Sequence, residues 1–225
     1  AMSSVAYLDL QNRVGAVVFV AILFLFGYLW YTRWDRRLLR RLKKAPRSTL
    51  SEARDGEVVK VVGTIRSNWV TQVAPLTGLR SAWSFTGAYE RRSTRRRWWW
   101  EPLAREVLAA DFWIDDGTAM ASVQGETLRL LSRADYDQGD VGDSEPLTAR
   151  DKLFLRRHGV PLRRLLGLVE RHLRLVETVL EPGDRVAVLG RIRAIVSPSP
   201  KGPAFEVGPL PDGYVLVSDR AEALD

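Results

Sequence analysis

The chain has 225 residues, no cysteine, two histidines (His158 and His172) and a formal net charge of +7 at pH 7. Without cysteine it has no disulfide framework, thiolate zinc site or cysteine nucleophile, and two histidines cannot build a His-rich metal centre. The length suits one domain, or a modest domain with an appendage.

The excess charge is local. Residues 33–47 hold eight basic residues against the single acid Asp35, whereas residues 48–225 hold 25 basic and 25 acidic groups. The basic character therefore belongs to a short segment, not to a basic globular body, which weakens a nucleic-acid reading.

Residues 1–13 read as an N-terminal tail, and Ala1 ahead of Met2 as a cloning remnant. From Val14 to Thr32 run 19 residues without a charge. As a helix rising about 1.5 Å per residue they span roughly 28 Å, close to the thickness of a hydrocarbon core. A buried core helix is rarely apolar all round at this length. A cleavable signal peptide would bring a basic n-region and a small-x-small cleavage site, and the segment has neither. A single transmembrane helix at 14–32 is expected. One Arg and one Asp precede it and eight basic residues follow, which places the N-terminus outside and the rest of the chain in the cytoplasm. Tyr28, Trp30, Tyr31 and Trp34 gather at the cytoplasmic end, where aromatic rings favour the headgroup level.

Residues 33–47 read as a basic amphipathic juxtamembrane helix. Trp34, Leu38, Leu39 and Leu42 share one arc of the helix, with Asp35 intruding on it. Arg36, Arg37, Arg40, Arg41, Lys43 and Lys44 fill the other side. The pattern suits a helix lying on an anionic leaflet; a stop-transfer cluster with no further role is the alternative. Ala45-Pro46-Arg47-Ser48 breaks the helix, and 48–56 reads as a linker.

The soluble part, 57–218, reads as mainly β. Residues 57–66 and 82–90 are strand candidates. Val107–Ile114 and Thr118–Val123 flank Asp115-Asp116-Gly117, the clearest hairpin signal in the chain. Glu181-Pro182-Gly183-Asp184 is a turn, followed by an alternating strand over 185–196. Ala204–Val207 and Tyr214–Val217 are weaker strands. Pro161 and the apolar half-circle from Leu162 to Leu180 predict one packed amphipathic helix, with Glu170, Arg171, Arg174 and Glu177 on its polar half and His172 on its apolar half. The expected fold is thus mainly β with one packed helix (α+β): an elaborated OB-like small barrel, its helix between the third and fourth strands, preceded by a single transmembrane helix.

Several segments carry a resemblance: Val62-Gly63-Thr64-Ile65, Pro75-Leu76-Thr77-Gly78, Phe112 to Ala119, Leu180 to Gly190, and Tyr214 to Ser218. Here the chain resembles the GIDE-type domain that lies beside the membrane helices of Mulan-like ubiquitin ligases and occurs in many bacterial proteins. The likeness runs from about 57 to 218 and implies a membrane-side interaction module. The zinc-binding RING of the eukaryotic ligases has no counterpart, because its cysteines are missing, so ligase activity does not carry over. Family members often have cysteines after the PLTG element, where this chain has Ser81-Ala82-Trp83. Many carry a second membrane helix, which would begin near Asp225; here 219–225 reads as a tail.

The most unusual stretch is Arg91-Arg92-Ser93-Thr94-Arg95-Arg96-Arg97-Trp98-Trp99-Trp100. Three consecutive Trp cannot all be buried on one strand face. Four readings stay open for Arg95, Arg96, Arg97, Trp98, Trp99 and Trp100. They are a loop dipping into the bilayer interface, a protein-partner or self-association surface, a platform for single-stranded nucleic acid, and an ordinary hairpin whose Trp rings cover the barrel. The acidic run Asp135, Asp137, Asp140, Asp143 and Glu145 departs from calcium-loop spacing, with Gly139 where a ligand belongs, and reads as a solvated loop. His158 reads as exposed at a helix end. No phosphate loop, metal signature or acid–base constellation is visible. The expectation is a non-enzymatic, cofactor-free scaffold or adaptor. Its partners would be the lipid bilayer and other membrane-assembly proteins, or further copies of itself. A membrane-localised ligand- or nucleic-acid-binding regulator is the alternative.

Overall fold

The computed structural model describes residues 36–66, 72–94, 96–141, 146–164, 169–195 and 204–224. The chain divides into two compact units, Ala1–Lys44 and Ala45–Asp225. The expected transmembrane segment 14–32, with Tyr28, Trp30 and Tyr31, and also Trp34, lies outside the described residues. Among the described residues no helix is long and apolar enough to cross a membrane. In the first unit, helix α1 (36–44) buries Leu38 and Leu42 and exposes Arg36, Arg37, Arg40, Arg41, Lys43 and Lys44. Leu39 is half-buried, and Asp35 lies outside the described residues.

The second unit is mainly β. In chain order its strands are β1 (Val58–Arg66), β2 (Gln72–Val73), β3 (Arg80–Ser81), β4 (Trp83–Ser93), β5 (Trp98–Ala109), β6 (Phe112–Asp115), β7 (Met120–Val123), β8 (Leu128–Leu130), β9 (Tyr136–Val141), β10 (Arg163–Arg164), β11 (Val169–Glu170), β12 (Leu173–Leu180), β13 (Arg185–Ala194), β14 (Phe205–Gly208) and β15 (Val215–Ser218). Helix α2 (Ala149–Arg157) and the single turn α3 (Ala221–Leu224) complete it.

Five strands close into a barrel in the order β1-β6-β7-β14-β13 and back to β1. All its pairings are antiparallel except β7 with β14. Strand β13 makes closure possible because of its length: one edge pairs with β1, while the other pairs with β15 and then β14. Alternate positions fill the interior, among them Val59, Val61, Ile65, Phe112, Ile114, Val186, Val188, Ile192 and Val207. This is the period-2 pattern of strands with one face in a core. The β6–β7 turn forms at the expected residues. Gly117 there has φ +86°, a conformation costly for any residue with a Cβ.

Residues 45–56 are packed chain, not a free linker. Ser48 N–H donates to the Lys60 carbonyl (3.0 Å) and Lys60 N–H to that of Pro46 (3.2 Å). Leu50 is fully buried in the barrel core.

The second sheet, β5-β4-β12-β9, is open and antiparallel. It is assembled from two insertions into the barrel, one between β1 and β6 and one between β7 and β13. Ala82 N–H donates to Leu180 O (2.8 Å) and Ala110 N–H to Ala82 O (3.1 Å), joining the sheet to the barrel strands that follow. Helix α2 covers one face: Phe154 and Leu155 pack with Leu76, Ala88, Ala104, Leu173 and Leu175. A capping box starts α2, with Asp151 N–H donating to Thr148 Oγ1 and Thr148 N–H to the Asp151 carboxylate (2.7 Å).

Three further expectations need correction. The helix predicted for Leu162–Leu180 is absent: its described residues hold β10, β11 and β12, and 165–168 lie outside them. Along β12, Leu173, Leu175, Glu177 and Val179 are buried while Arg174, Val176 and Thr178 are half-buried, which is a strand period. A half-circle on a helical wheel is wide enough to admit this alternation, and the β-branched Val176, Thr178 and Val179 favour the strand. The packed helix is α2 instead. The acidic run is also no simple loop, because Asp137 and Asp140 belong to β9; Asp143 and Glu145 lie outside the described residues. Finally, the strand expected over Val107–Ile114 is two strands, β5 and β6, separated at Ala110-Asp111.

Candidate functional site

The Arg/Trp stretch forms a hairpin. Strands β4 and β5 pair over their full lengths, and Thr94 N–H donates to the Arg97 carbonyl (2.7 Å) to close the turn. The three Trp are therefore strand residues, directly behind the turn of a hairpin. Arg95 lies outside the described residues.

Cross-strand partners share a face. Ser93 opposes Trp98, Arg91 opposes Trp100, and Tyr89 opposes both Pro102 and, on β12, Arg174. All of these lie on the face away from α2. Near the barrel, Trp83, Phe85 and Ala109 on that face join the barrel core. Farther out the face is open: Trp98 is 62% exposed and Val107 53%, while Tyr89, Trp100 and Val176 are half-buried. The Trp rings thus cover no part of the barrel; they stand on the outer end of the second sheet.

Aromatic rings and guanidinium groups interleave there. Trp98 and Trp100 meet edge to face, with centroids 6.3 Å apart and planes at 84°. Arg91 lies 5.9 Å from the Trp98 ring centre, Arg174 5.9 Å from Trp100, and Arg105 5.9 Å from Tyr89. Such cation–π contacts draw the cations onto the ring faces. Arg174 is fixed by a two-point pair to Asp137 (2.9 and 2.5 Å), whose hydrogen bond raises its pKa. Tyr89 leans over Gly87, where a Cβ would sit 2.7 Å from its ring, so the bare glycine backbone makes room for the phenol.

The α2-covered face holds charge of another kind. Glu177 is fully buried, and its carboxylate accepts from Leu76 N–H (2.9 Å), Thr77 N–H (2.7 Å), Thr77 Oγ1 (2.7 Å) and Thr86 Oγ1 (2.7 Å). Four donors satisfy the ion and fasten the Pro75-Leu76-Thr77-Gly78 turn onto the sheet. Toward the hairpin tip on this face, Arg92 is held by Glu101 and Glu90, and Arg171 approaches Glu90 at 3.6 Å. His158 is the C-cap of α2. It contacts Glu106 at 3.0 Å and the Phe154 ring at 4.5 Å, so it is tied down at the helix end it was expected to expose. His172 precedes β12, and its carbonyl accepts from Arg91 N–H (2.9 Å).

Carboxylates at the strand junctions diverge. Burial works to raise the Asp116 pKa, but hydrogen bonds from Leu50 N–H (2.6 Å), Ala119 N–H, Thr118 N–H and Thr118 Oγ1 outweigh it, and the net shift is downward. Asp135 and Glu181 move up, first by burial and then by neighbouring carboxylates, Asp219 and Asp184 for the former, Asp184 and Asp135 for the latter. Among the described residues no group of three or more His, Asp or Glu is placed to hold a metal ion. The open face has the makings of a binding surface, with large rings and planar cations.

No family model, curated protein or solved structure matches this chain.

Sequence reasoning singled out the Trp–Arg stretch but missed Tyr89, Arg105 and Arg174, which reach it only through strand pairing. The one sequence signal was the alternation over 82–90, which puts Phe85, Gly87 and Tyr89 on one face. Arg174 had been assigned to a helix.

Proposed function

We propose that this chain is a membrane-anchored, non-enzymatic scaffold, attached by residues 14–32 and presenting an OB-like domain at the cytoplasmic membrane face. Numbering the barrel strands one to five in chain order, they are joined 1-2-3-5-4 and back to 1, with the third and fifth parallel. This arrangement supports the OB-like reading, and α2 lies in the segment between the third and fourth. Kinship with the GIDE-type domain belongs to the same proposal.

One observation carries the functional part: the open face of the second sheet, where Tyr89, Trp100, Arg105, Val107 and Val176 sit together. Aromatic and Arg side chains dominate protein-binding energy because they combine large desolvated area with directional polar contact. A single-stranded nucleic acid has weaker support, since it needs free ring faces for stacking. Here Arg91 and Arg174 lie over Trp98 and Trp100, and those two rings stand edge to face.

The test is a photo-crosslinking amino acid at Val107 of the full chain, in its native membrane. A discrete protein adduct, abolished by the pair Tyr89→Ala and Arg105→Ala, is expected. Labelling no stronger than at the exposed barrel-side position Asp212 would overturn the reading. A gel shift with single-stranded DNA by the detergent-solubilised chain would favour the regulator instead.

A further inference from the structure

Consecutive strand residues project to opposite faces, so Trp98 and Trp99 leave the hairpin in opposite directions. Both are exposed, at 62% and 47%. Just beyond them, Arg96 and Arg97 are also exposed, and among the described residues neither has a carboxylate partner. Arg92, two pairs down the ribbon, is by contrast held by Glu90 and Glu101. Among the described residues the tip therefore has positive charge at its end with no carboxylate beside it, and an aromatic ring on each side directly behind it.

We infer that this hairpin tip, through Arg96, Arg97, Trp98 and Trp99, inserts into the headgroup layer of an anionic bilayer as a second membrane contact. A flat protein surface meets a ribbon on one face and covers Trp98 or Trp99, whereas a medium that surrounds the tip reaches both. The interfacial layer surrounds the tip and accepts both rings at headgroup depth, where Trp is favoured. Anionic lipid phosphates complement Arg96 and Arg97, and cations near such a surface are attracted within a Debye length. The inference rests on the proposed reading of residues 14–32 as a membrane anchor.

A chain without cysteine allows a single reporter. Thr94→Cys, spin-labelled in the full chain, is reconstituted into phosphatidylcholine vesicles with or without phosphatidylglycerol. Its collisions with oxygen and with a water-soluble nickel complex are then compared. The expected result is a severalfold rise in the oxygen-to-nickel ratio when phosphatidylglycerol is present. Arg96→Ser with Arg97→Ser, and separately Trp98→Ser with Trp99→Ser, should each return it to the water-exposed value. Equal nickel accessibility in both vesicles overturns the inference, as does loss of collisions with both reagents, which signifies a protein contact. A carbonate wash separates the two levels. If the chain stays with the vesicles while the tip stays in water, only this inference fails; if the chain washes off, the anchor reading fails and takes the inference with it.

Discussion

The barrel and the inserted sheet are built from similar strands, yet they bury different things. The closed barrel leaves no free edge along its five-strand cycle and fills its interior with Val, Ile and Phe. The open sheet has two edges, β5 and β9, one face under α2 and the other largely uncovered. On its α2 side Glu90 and Glu177 are buried, as is Asp151 of α2. Closure pairs every barrel strand on both sides, and a carboxylate there, Asp116, fastens the flanking Leu50. The open sheet holds its covering turn and helix with carboxylates: Glu177 accepts from the 75–78 turn, and Asp151 of α2 accepts from the Tyr136 hydroxyl of β9 (3.2 Å). The outer face then stays available for recognition.

This contrast can be attacked directly. Phe112→Ala empties the largest fully buried position of the barrel and should cost about 3–5 kcal/mol, read from the urea midpoint. Because Trp83, Phe85 and Leu180 tie the sheet to the same core, both regions should lose hydrogen-exchange protection together. Protection surviving in β4 and β12 would mean that the sheet stands alone. Glu177→Ala strands four donors and should cost roughly 3 kcal/mol, with exchange rising at Leu76 and Thr77 while barrel amides stay protected. Uniform loss across the barrel would break the division of roles.

Smaller effects sharpen it. Asp116→Ala removes the carboxylate that ties Leu50 to the β6–β7 turn and should cost about 1–3 kcal/mol. Its native pKa lies below the unfolded value, so this stabilisation is present above the ordinary carboxylate range and is lost as pH falls through the lowered value. Asp135 and Glu181 have the opposite sign: their raised native values favour the fold below the ordinary range, and that benefit is lost as pH rises through them. A denaturation series across acidic pH should therefore show the gap between the parent chain and Asp116→Ala narrowing as pH falls through the lowered value. A constant gap would remove Asp116 from the account. Thr148→Ala, by loss of the α2 cap, should cost about 1 kcal/mol. The double change Trp98→Ser and Trp99→Ser should stay within about 0.5 kcal/mol by thermal melting, as exposed positions do; a larger loss would make the tip part of the fold.

Much of the barrel was legible. Alternating β-branched runs and turn residues placed β1, β7 and β13 close to where they form, because each has a buried face on a period of two and a turn with its own chemistry. The same reasoning misread Leu173–Leu180, whose leucines and arginines also satisfy a generous helical stripe. It overlooked the Thr148–Asp151 capping box, a local signal of the helix that does form. Glu177 was placed on a polar surface because a lone glutamate carries no sign of its burial. The donors that satisfy it come from residues 76, 77 and 86, far away in sequence.

By itself the sequence determined the concentration of positive charge in 33–47, the apolar run before it, the β-rich character of the rest and the turns at 115–118 and 181–184. Composition, period and φ preference are local properties, and a chain read in order displays them. Only the tertiary structure decided that β1 meets β13 to close a barrel, that two separate insertions share one sheet, and that Tyr89, Trp98, Trp100, Arg91, Arg105 and Arg174 lie on one face. Those pairings join residues many positions apart, and their register comes from the packing of whole strands, which no short window of sequence contains.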